Sequence, residues 1–308
     1  NLKWKKKKIK VLVTGAAGFI GSKICIKLFE LGFKVIAIDD LSSGNIKNLP
    51  SKIKLYKLDL SIIANLKRIP KCQFILHLAG QSSGEKSFDS PMIDLKKNTH
   101  TTLNLINYGI KNKSKKLIFA SSMSVYGNIS LNKLSETSSV APVSCYGVSK
   151  LASEKYLKVF SKKLPYVIFR MFNVYGAGQN MKDLRQGMVS IYLSQALNKN
   201  EVIVKGSLNR TRDFIHIDDV VNIWVISLLK NIKNEIFNLG TGKSTKVSEL
   251  LNKIYRLTGK KNTKVLTSTT GDQINSVSNN LKIMNAFKYK KFIDLDEGLN
   301  KFYVKEIK

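Results

Sequence analysis

The sequence is poor in cysteine, histidine and proline. It holds 3 cysteines, 3 histidines and 5 prolines in 308 residues. Cys25, Cys72 and Cys145 are odd in number and lack CxxC spacing, which argues against a disulfide framework and indicates a reducing compartment. We therefore expect a cytoplasmic protein. No histidine stands at ligand spacing from a cysteine or a carboxylate, so we predict no metal site.

Long apolar runs are also missing. No stretch reaches the ~20 apolar residues that a membrane-spanning helix requires, so we expect no membrane partner. The first apolar stretch follows a lysine run at 5–8 and is about five residues long, which is too short for a signal peptide. The most apolar segment, 220–229, is interrupted by Asn222 and is interpreted as a buried helix.

Acidic residues are scarce. The chain has 21 Asp and Glu against 52 Lys and Arg, which gives a formal net charge of +31. Such a charge indicates either an acidic partner, such as nucleic acid, or a compositional drift toward lysine. Few aromatic residues lie between the basic ones, and lysine is spread along the whole chain, so we favour drift and expect no nucleic-acid partner.

Strands and helices alternate through the first half of the chain. Strands are predicted at 9–14, 34–38, 53–57, 74–78, 116–120 and 166–170, and helices at 19–31, 98–108 and 146–160. This alternation is typical of an α/β fold with helices on both faces of a parallel sheet.

Beyond about residue 175 the alternation loosens, although a helix is predicted near 187–197. We expect a Rossmann-type, doubly wound parallel sheet over 1–174 and a smaller C-terminal α/β substrate-binding lobe over 175–308. A segment near 210–240 is expected to return to the first domain.

A glycine-rich turn follows the first strand. Gly15, Gly18 and Gly21 form a GxxGxxG pattern, and Phe19 and Ile20 open the helix behind it. The first glycine permits a tight turn, the second allows the backbone to approach a pyrophosphate, and the third permits close packing of helix on strand. The helix N-terminus favours the negative phosphates, so the segment predicts a dinucleotide site.

Carboxylates stand at the ends of the next strands. Asp39 lies 18 residues after Gly21, where an acidic side chain accepts hydrogen bonds from the adenosine ribose. A carboxylate there repels the additional phosphate of NADP, and no arginine stands nearby, so we predict NAD. A plain strand-end turn is the alternative interpretation of Asp39 and Asp40. Asp59, after the following strand, suits the adenine edge.

Tyr146 and Lys150 have the i, i+4 spacing that places two side chains on one helix face. A tyrosine with a pKa near ~10 is a poor base at neutral pH. A nearby ammonium and a cationic nicotinamide would lower that pKa and allow proton transfer in both directions. Ser122, at the carboxyl end of a predicted strand, can hydrogen-bond the reacting oxygen.

Several motifs occur in one order along the chain: GxxGxxG at 15–21, HLAGQ at 77–81, SSxxVYG at 121–127, YxxxK at 146–150, RxFNVYG at 170–176, RDFIHIDDV at 212–220 and NLGTG at 238–242. This set resembles the extended short-chain dehydrogenase/reductases. Within them it is most similar to the nucleotide-sugar epimerase/dehydratase family, and in particular to the UDP-glucose 4-epimerases.

The resemblance implies a role for individual residues. Ser122, Tyr146 and Lys150 match the catalytic trio. The implied cofactor contacts are Gly15, Gly18, Phe19, Ile20, Gly21, Asp39, Asp40, Asp59, Leu60, Leu78, Ala79, Gly80, Asn98, Tyr146, Lys150 and Phe172. The implied substrate contacts are Ser82, Ser122, Tyr146, Asn173, Arg212 and Asp272. Arg212 and Asn173 match positions that hold the substrate diphosphate, although an Arg212–Asp213 salt bridge and a turn cap at Asn173 are the structural alternatives.

The chain also departs from the family pattern. Dehydratases and decarboxylases carry an acidic residue just after the catalytic hydroxyl residue, whereas Met123 and Ser124 follow Ser122 here. Lys205 replaces an aromatic residue that contacts the base in many relatives. Thr269 stands where an arginine often precedes the late Gly-Asp pair, and Ser82 replaces a lysine of some epimerases.

These observations favour epimerisation at C4 of a nucleotide-diphosphate sugar of the UDP-glucose/UDP-galactose type, through a 4-keto intermediate and with recycled NAD. The alternatives are a nicotinamide-consuming 4-keto-sugar reductase, a dehydratase or decarboxylase of the same family, and a dinucleotide-sensing protein without catalysis. The resemblance also implies a homodimer.

Overall fold

The protein is described by a computed structural model over residues 9–129, 132–199, 201–271 and 273–307. The predicted substrate residue Asp272 and the lysine run at 5–8 lie outside the described residues.

The strands of the described residues are β1 (Lys10–Thr14), β2 (Lys34–Asp39), β3 (Leu55–Lys57), β4 (Phe74–His77), β5 (Lys116–Ser122), β6 (Tyr166–Met171), β7 (Asn173–Tyr175), β8 (Val202–Lys205), β9 (Thr211–Arg212), β10 (Phe214–His216), β11 (Glu235–Leu239), β12 (Thr245–Lys246), β13 (Thr263–Leu266) and β14 (Asn275–Ser276).

The α-helices of the same residues are α1 (Phe19–Glu30), α2 (Gly84–Asp89), α3 (Pro91–Leu95), α4 (Thr101–Lys111), α5 (Cys145–Val159), α6 (Met188–Asn198), α7 (Ile217–Leu229), α8 (Val247–Thr258), α9 (Leu281–Phe287) and α10 (Leu295–Glu306). A wider π turn, Lys96–His100, connects α3 to α4. Short 3-10 turns cover Ile46–Asn48, Ile63–Arg68 and Met123–Val125.

A parallel sheet forms the centre of the molecule. Within the described residues it has seven strands in the order β11-β6-β5-β4-β1-β2-β3. Every neighbouring pair runs parallel. This confirms the predicted Rossmann-type fold. The strand order reverses between β1 and β4, and ligands of such sheets bind at the carboxyl ends beside that reversal.

Helix α1 forms because its apolar residues recur on one face. Ile24, Cys25 and Leu28 are buried against the sheet, where they meet Val11 and Val13 of β1. The extended backbone at Gly18 begins the helix, and its amide group donates to Gly15 O at 3.1 Å. The local sequence therefore fixes both the start of the helix and its orientation over β1.

The later part of the chain contributes to both halves of the molecule. β11 pairs with β6 at the edge of the main sheet, and α7 packs against α1. A second apolar core forms among α6, α8 and α10, around Leu193, Leu250 and Phe302. The division of the chain into 1–174 and 175–308 stays a prediction.

Two predicted elements begin two or three residues later in the structure than predicted. The strand predicted at 53–57 is reduced to β3, because Ile53 and Lys54 lie in the preceding turn. The helix predicted at 98–108 begins with the π turn, and α4 follows it. In the part of the chain that the structure describes, no helix combines the length and the apolar character needed to cross a membrane.

Candidate active site

The glycine turn after β1 lies against the end of β4. Gly15 has φ +67°, a conformation that favours glycine, and a Cβ on it would approach Ala79 N to 2.8 Å. A Cβ on Gly21 would collide with Gly15 O. Phe19 and Ile20 are half-buried at the start of α1. The bare backbone therefore leaves a cradle at the helix N-terminus, which fits a pyrophosphate.

The end of β4 is held by a buried hydrogen-bond chain. Thr14 Oγ1 lies 2.9 Å from His77 Nδ1, and Thr102 Oγ1 lies 3.0 Å from His77 Nε2. The amide groups of Leu78 and Ala79 donate to Thr14 Oγ1. Burial, with a further contribution from the Lys150 charge, lowers the pKa of His77 to about 3, so the ring is neutral. These contacts fix the backbone of 78–80 beside the glycine turn.

Asp39 stands at the end of β2 with both carboxylate oxygens engaged. Ala17 N donates to Oδ2 at 2.9 Å, and Leu41 N donates to Oδ1 at 2.8 Å. Burial raises the pKa of Asp39, and the two backbone hydrogen bonds oppose this rise. Each oxygen retains a lone pair for a further donor, so the position still suits ribose hydroxyls.

Asp40 and Asp59 are joined by a lysine that the sequence reasoning missed. Lys97 Nζ lies 2.6 Å from Asp40 Oδ2 and 2.9 Å from Asp59 Oδ2. Burial opposes both negative charges, but hydrogen bonds from Ser61 and Lys97 outweigh it and lower the pKa of Asp59 to about 2. Leu60, next in the chain, is buried. Lys97 directly precedes Asn98, a predicted cofactor contact, and this position could have drawn attention to it. Nothing in the local sequence indicates that its partners are Asp40 and Asp59.

The predicted catalytic trio comes together where β5 ends and α5 begins. The Ser122 hydroxyl interacts with the Tyr146 phenol and opposes the rise of its pKa. Lys150 Nζ lies 5.6 Å from the centroid of the Tyr146 ring and 4.9 Å from that of Phe119. Ser122 also begins the turn after β5, where its Oγ accepts from Ser124 N at 3.1 Å. The spacing of one helical turn thus places phenol and ammonium on one face.

Burial determines the protonation of the trio in the chain alone. Burial raises the pKa of Tyr146 to about 12, although the hydrogen bond with Ser122 opposes this rise. Burial also lowers the pKa of Lys150 to about 8. The lowering of the phenol pKa was predicted for an ammonium together with a bound nicotinamide, and it stays a prediction. In the chain alone, desolvation of Tyr146 is the largest effect.

Asn98 and Phe172 lie at the sides of the site. Asn98 is buried in the π turn, and its Nδ2 donates to Gln81 O at 3.1 Å. Its Oδ1 lies so close to Gly80 that a Cβ there would collide with it. Phe172 is buried in a small apolar cluster with Val125, Tyr126 and Leu134. Asn98 thus faces the strand end at Gly80, and Phe172 supports the loop after β5.

The predicted substrate residues are engaged with other parts of the chain. Arg212 is 3% exposed, and its guanidinium donates to the carbonyl oxygens of Thr211, Gln273 and Ile274. Asn173 Nδ2 donates to Asp213 O at 3.0 Å. The guanidinium therefore binds backbone around β14. A diphosphate contact by either side chain stays a prediction.

Ser82 is exposed, and its Oγ accepts from Gln186 Nε2 at 2.7 Å. Lys205 Nζ lies 3.0 Å from Glu85 Oε1. Arg185, in the loop before α6, lies 2.5 Å from Asp89 of α2. These contacts join the loop before α6 and strand β8 to the neighbourhood of α2, so Ser82 and Lys205 lie at one border between the two halves of the molecule.

The residues present fit NAD. The glycine cradle leaves room for a pyrophosphate, and Asp39 presents a carboxylate rather than a basic group at the ribose position. Asn98 Oδ1 is a buried acceptor without a hydrogen-bond partner among the described residues, and it faces the strand end near Lys150.

Comparisons with known proteins agree with this geometry. The model of the NAD dependent epimerase/dehydratase family matches residues 11–240. A putative UDP-glucose 4-epimerase of Methanocaldococcus jannaschii is 33% identical over 299 residues, which cover 94% of this chain and 96% of the relative. A dTDP-4-dehydro-6-deoxyglucose reductase of Escherichia coli is 28% identical and covers 94% of this chain and 95% of the relative.

Among solved structures, the UDP-glucose 4-epimerase of Thermotoga maritima with UDP-glucose has a TM-score of 0.93 at 33% identity and covers 97% of this chain and 99% of that chain. The chain therefore belongs to the NAD dependent epimerase/dehydratase family.

Proposed function

We propose that the protein interconverts the C4 epimers of a UDP-hexose, of the UDP-glucose/UDP-galactose type, with a tightly held and recycled NAD. The observation that carries this proposal is the trio Ser122, Tyr146 and Lys150, with Met123 and Ser124 rather than an acidic residue directly after Ser122. With nicotinamide as the hydride acceptor, a hydroxyl, a phenol and an ammonium suffice for the proton transfer in the reversible oxidation of a secondary alcohol.

The residue after Ser122 supports epimerisation over elimination. Met123 carries a thioether, which accepts hydrogen bonds from Ser276 Oγ and Asn173 Nδ2. A thioether neither takes a proton from carbon nor assists the loss of a hydroxide. Because a dehydratase or a decarboxylase needs an acid or base at that place, Met123 counts against both reactions.

The mechanism assigns one task to each side chain. Tyr146 accepts the proton of the C4 hydroxyl during oxidation and returns it during reduction. Ser122 donates a hydrogen bond to the same oxygen, and Lys150 stabilises the phenolate. NAD supplies the acceptor and donor of the hydride when it is bound. Gly15, Gly18, Asp39, Gly80 and Asn98 would hold it.

The test is to incubate the purified protein separately with UDP-glucose and with UDP-galactose, and to analyse the hexose at C4. We expect each sugar to yield the same equilibrium mixture without net consumption of added nicotinamide. If neither sugar, nor its N-acetyl or uronic-acid counterpart, is interconverted, the proposal fails.

A reductase of nucleotide 4-keto sugars is the second candidate. The similarity to the Escherichia coli reductase over 94% of this chain favours it, and the same trio would donate a proton as the keto group is reduced. The absorbance of reduced nicotinamide separates the two activities. A stoichiometric decrease with a 4-keto sugar indicates the reductase, and an unchanged absorbance with C4 inversion indicates the epimerase.

A homodimer is part of this proposal. Apolar side chains lie exposed on α3 and α5, including Met92 (74% exposed), Val148 (54%) and Val159 (74%). A second copy that covered both helices would bury this patch. Light scattering tests it, since Val148→Glu should reduce the measured mass from that of a dimer to that of a monomer. Ile274 is also exposed but lies outside α3 and α5, and Ile274→Glu should leave the mass unchanged.

A further inference from the structure

A buried carboxylate lies behind the catalytic trio. Asp94 stands on α3 with its side chain 0% exposed. Its Oδ1 accepts hydrogen bonds from Gln81 Nε2 at 2.9 Å and Asn98 Nδ2 at 3.0 Å. Its Oδ2 has no hydrogen-bond partner among the described residues. A buried carboxylate with neutral partners is costly, so this position requires a positive charge nearby.

Lys150 is the corresponding buried cation. Its side chain is 4% exposed, and its ammonium lies over the rings of Phe119 and Tyr146. In the part of the chain that the structure describes, it forms no ion pair with a carboxylate. Asp94 and Lys150 are therefore two buried and opposite charges, each without a direct partner of the other sign.

The π turn connects the two charges. Asn98 directs its amide nitrogen at Asp94, while its Oδ1 lies against Gly80. A Cβ on Gly80 would lie 3.5 Å from Lys150 Nζ, so that Asn98 Oδ1 and the ammonium flank the same bare Cα. Thr99 Oγ1 also donates to Ser149 O at 3.1 Å, which fastens the turn to α5 next to Lys150.

We propose that Asp94 is a positioning residue for the proposed reaction: through the Asn98 amide, its buried charge holds Lys150 as an ammonium behind Tyr146. The amide has its positive end at the carboxylate and its negative end toward the ammonium. This inference rests on the proposed function, which makes Tyr146 and Lys150 the catalytic pair.

The electrostatics of the pair agree with this role. Burial lowers the pKa of Lys150 to about 8, and the charge of Asp94 opposes that decrease. The same charge adds to the effect of burial on Tyr146, whose pKa is raised to about 12. The two side chains that donate hydrogen bonds to Asp94, Gln81 and Asn98, are neutral amides. Removal of the Asp94 charge should therefore lower the pKa of both catalytic groups.

The first experiment uses Asp94→Asn, which keeps the shape of the side chain and an acceptor for Gln81 and Asn98. The pH profile of kcat/KM is measured with the full-length holoenzyme. We expect the whole profile to move to lower pH by roughly one unit, as for the loss of one neighbouring charge. A merely structural role would lower kcat and leave the profile in place.

The matched control is Glu297→Gln, which makes the same change of charge on α10. Its exposed carboxylate pairs with Lys301 at 2.7 Å. We expect the native profile for this variant. The double variant Asp94→Asn with Asn98→Asp returns a carboxylate to the π turn and should move the profile back toward the native one. If Asp94→Asn alone does not fold, the double variant is measured in its place.

A second measurement does not depend on turnover. The phenolate absorbance of the native protein minus that of Tyr146→Phe reports the titration of Tyr146. The same difference in the Asp94→Asn background should show a lower pKa. An unchanged titration together with an unchanged pH profile would overturn the role of Asp94. Failure of both sugars to epimerise, with the spectroscopic shift present, would overturn the proposed reaction alone.

Discussion

Two lysines at the carboxyl edge of the sheet have opposite surroundings. Lys97, at the proposed adenosine end, contacts the carboxylates of Asp40 and Asp59 at 2.6 and 2.9 Å, and its side chain is 25% exposed. Lys150, at the proposed catalytic end, is buried over two aromatic rings. Burial opposes the charge of both, but the two carboxylates outweigh it at Lys97 and raise its pKa, whereas the pKa of Lys150 falls to about 8.

The difference shows how one fold obtains a fixed charge and a responsive one. A lysine with two carboxylates keeps its proton over the whole physiological pH range and links the two carboxylates by a permanent positive charge. A lysine without a direct partner has a pKa near the working pH, where small changes in its surroundings alter its charge. Breaking each site in turn should therefore give effects of different kind and size.

The largest effect is expected for Tyr146→Phe. The variant removes the group that exchanges a proton with the C4 oxygen, and kcat for UDP-glucose epimerisation should fall by roughly 10²- to 10⁴-fold. NAD content should stay native, because the glycine cradle is untouched. Tyr156→Phe, on the exposed side of the same helix, is the matched control and should keep native activity. A Tyr146→Phe enzyme with native kcat would refute the proposed chemistry.

The next effect is expected for Lys150→Met. The productive state holds the ammonium and the phenolate together, and so has one proton fewer than the state in which both groups are protonated. For the chain alone, its population rises with pH up to about 8, where Lys150 titrates, and then stays level until Tyr146 titrates at about 12. A cationic nicotinamide lowers both pKa values, so the levelling falls at or below about pH 8.

Without the ammonium, the rate of Lys150→Met should be lower by roughly tenfold or more at neutral pH, since one unit of phenol pKa is worth tenfold in phenolate. It should also keep rising with pH where the native profile is level. The exposed Lys155→Met, on the same helix, should retain the native profile. A level profile in Lys150→Met would show that another group titrates there.

The sequence predicts those parts of the site that depend on local spacing. The glycines at 15, 18 and 21 sit between a strand and a helix, and Tyr146 and Lys150 are one helical turn apart, so each motif is complete within one segment. The alternation of strands and helices likewise predicts the parallel sheet. Such features need no knowledge of which distant segments meet.

Contacts between distant segments could not be predicted in this way. Lys97 is 57 residues from Asp40 and 38 from Asp59, and no local pattern pairs them. The π turn that orients Asn98 differs from α-helix by one inserted residue per turn, which hydrophobic periodicity does not resolve. The guanidinium of Arg212 likewise binds the carbonyl oxygens of Gln273 and Ile274, which lie 61 and 62 residues further along the chain, and no local pattern indicates these contacts.

The smallest effect is expected for Lys97→Met, which tests the fixed charge. Partly exposed ion pairs contribute about 0.2–1 kcal/mol each, so unfolding in urea should show a loss of about 1 kcal/mol. Because the pKa of Asp59 is lowered to about 2, this contribution is present above the ordinary carboxyl pKa and is lost as pH falls through about 2. High salt should reduce the difference, since these side chains are partly exposed.

The neighbouring exposed Lys96→Met is the control. A Lys97→Met enzyme of native stability whose pH profile shifted as in Asp94→Asn would mean that the two lysines do not have separate roles.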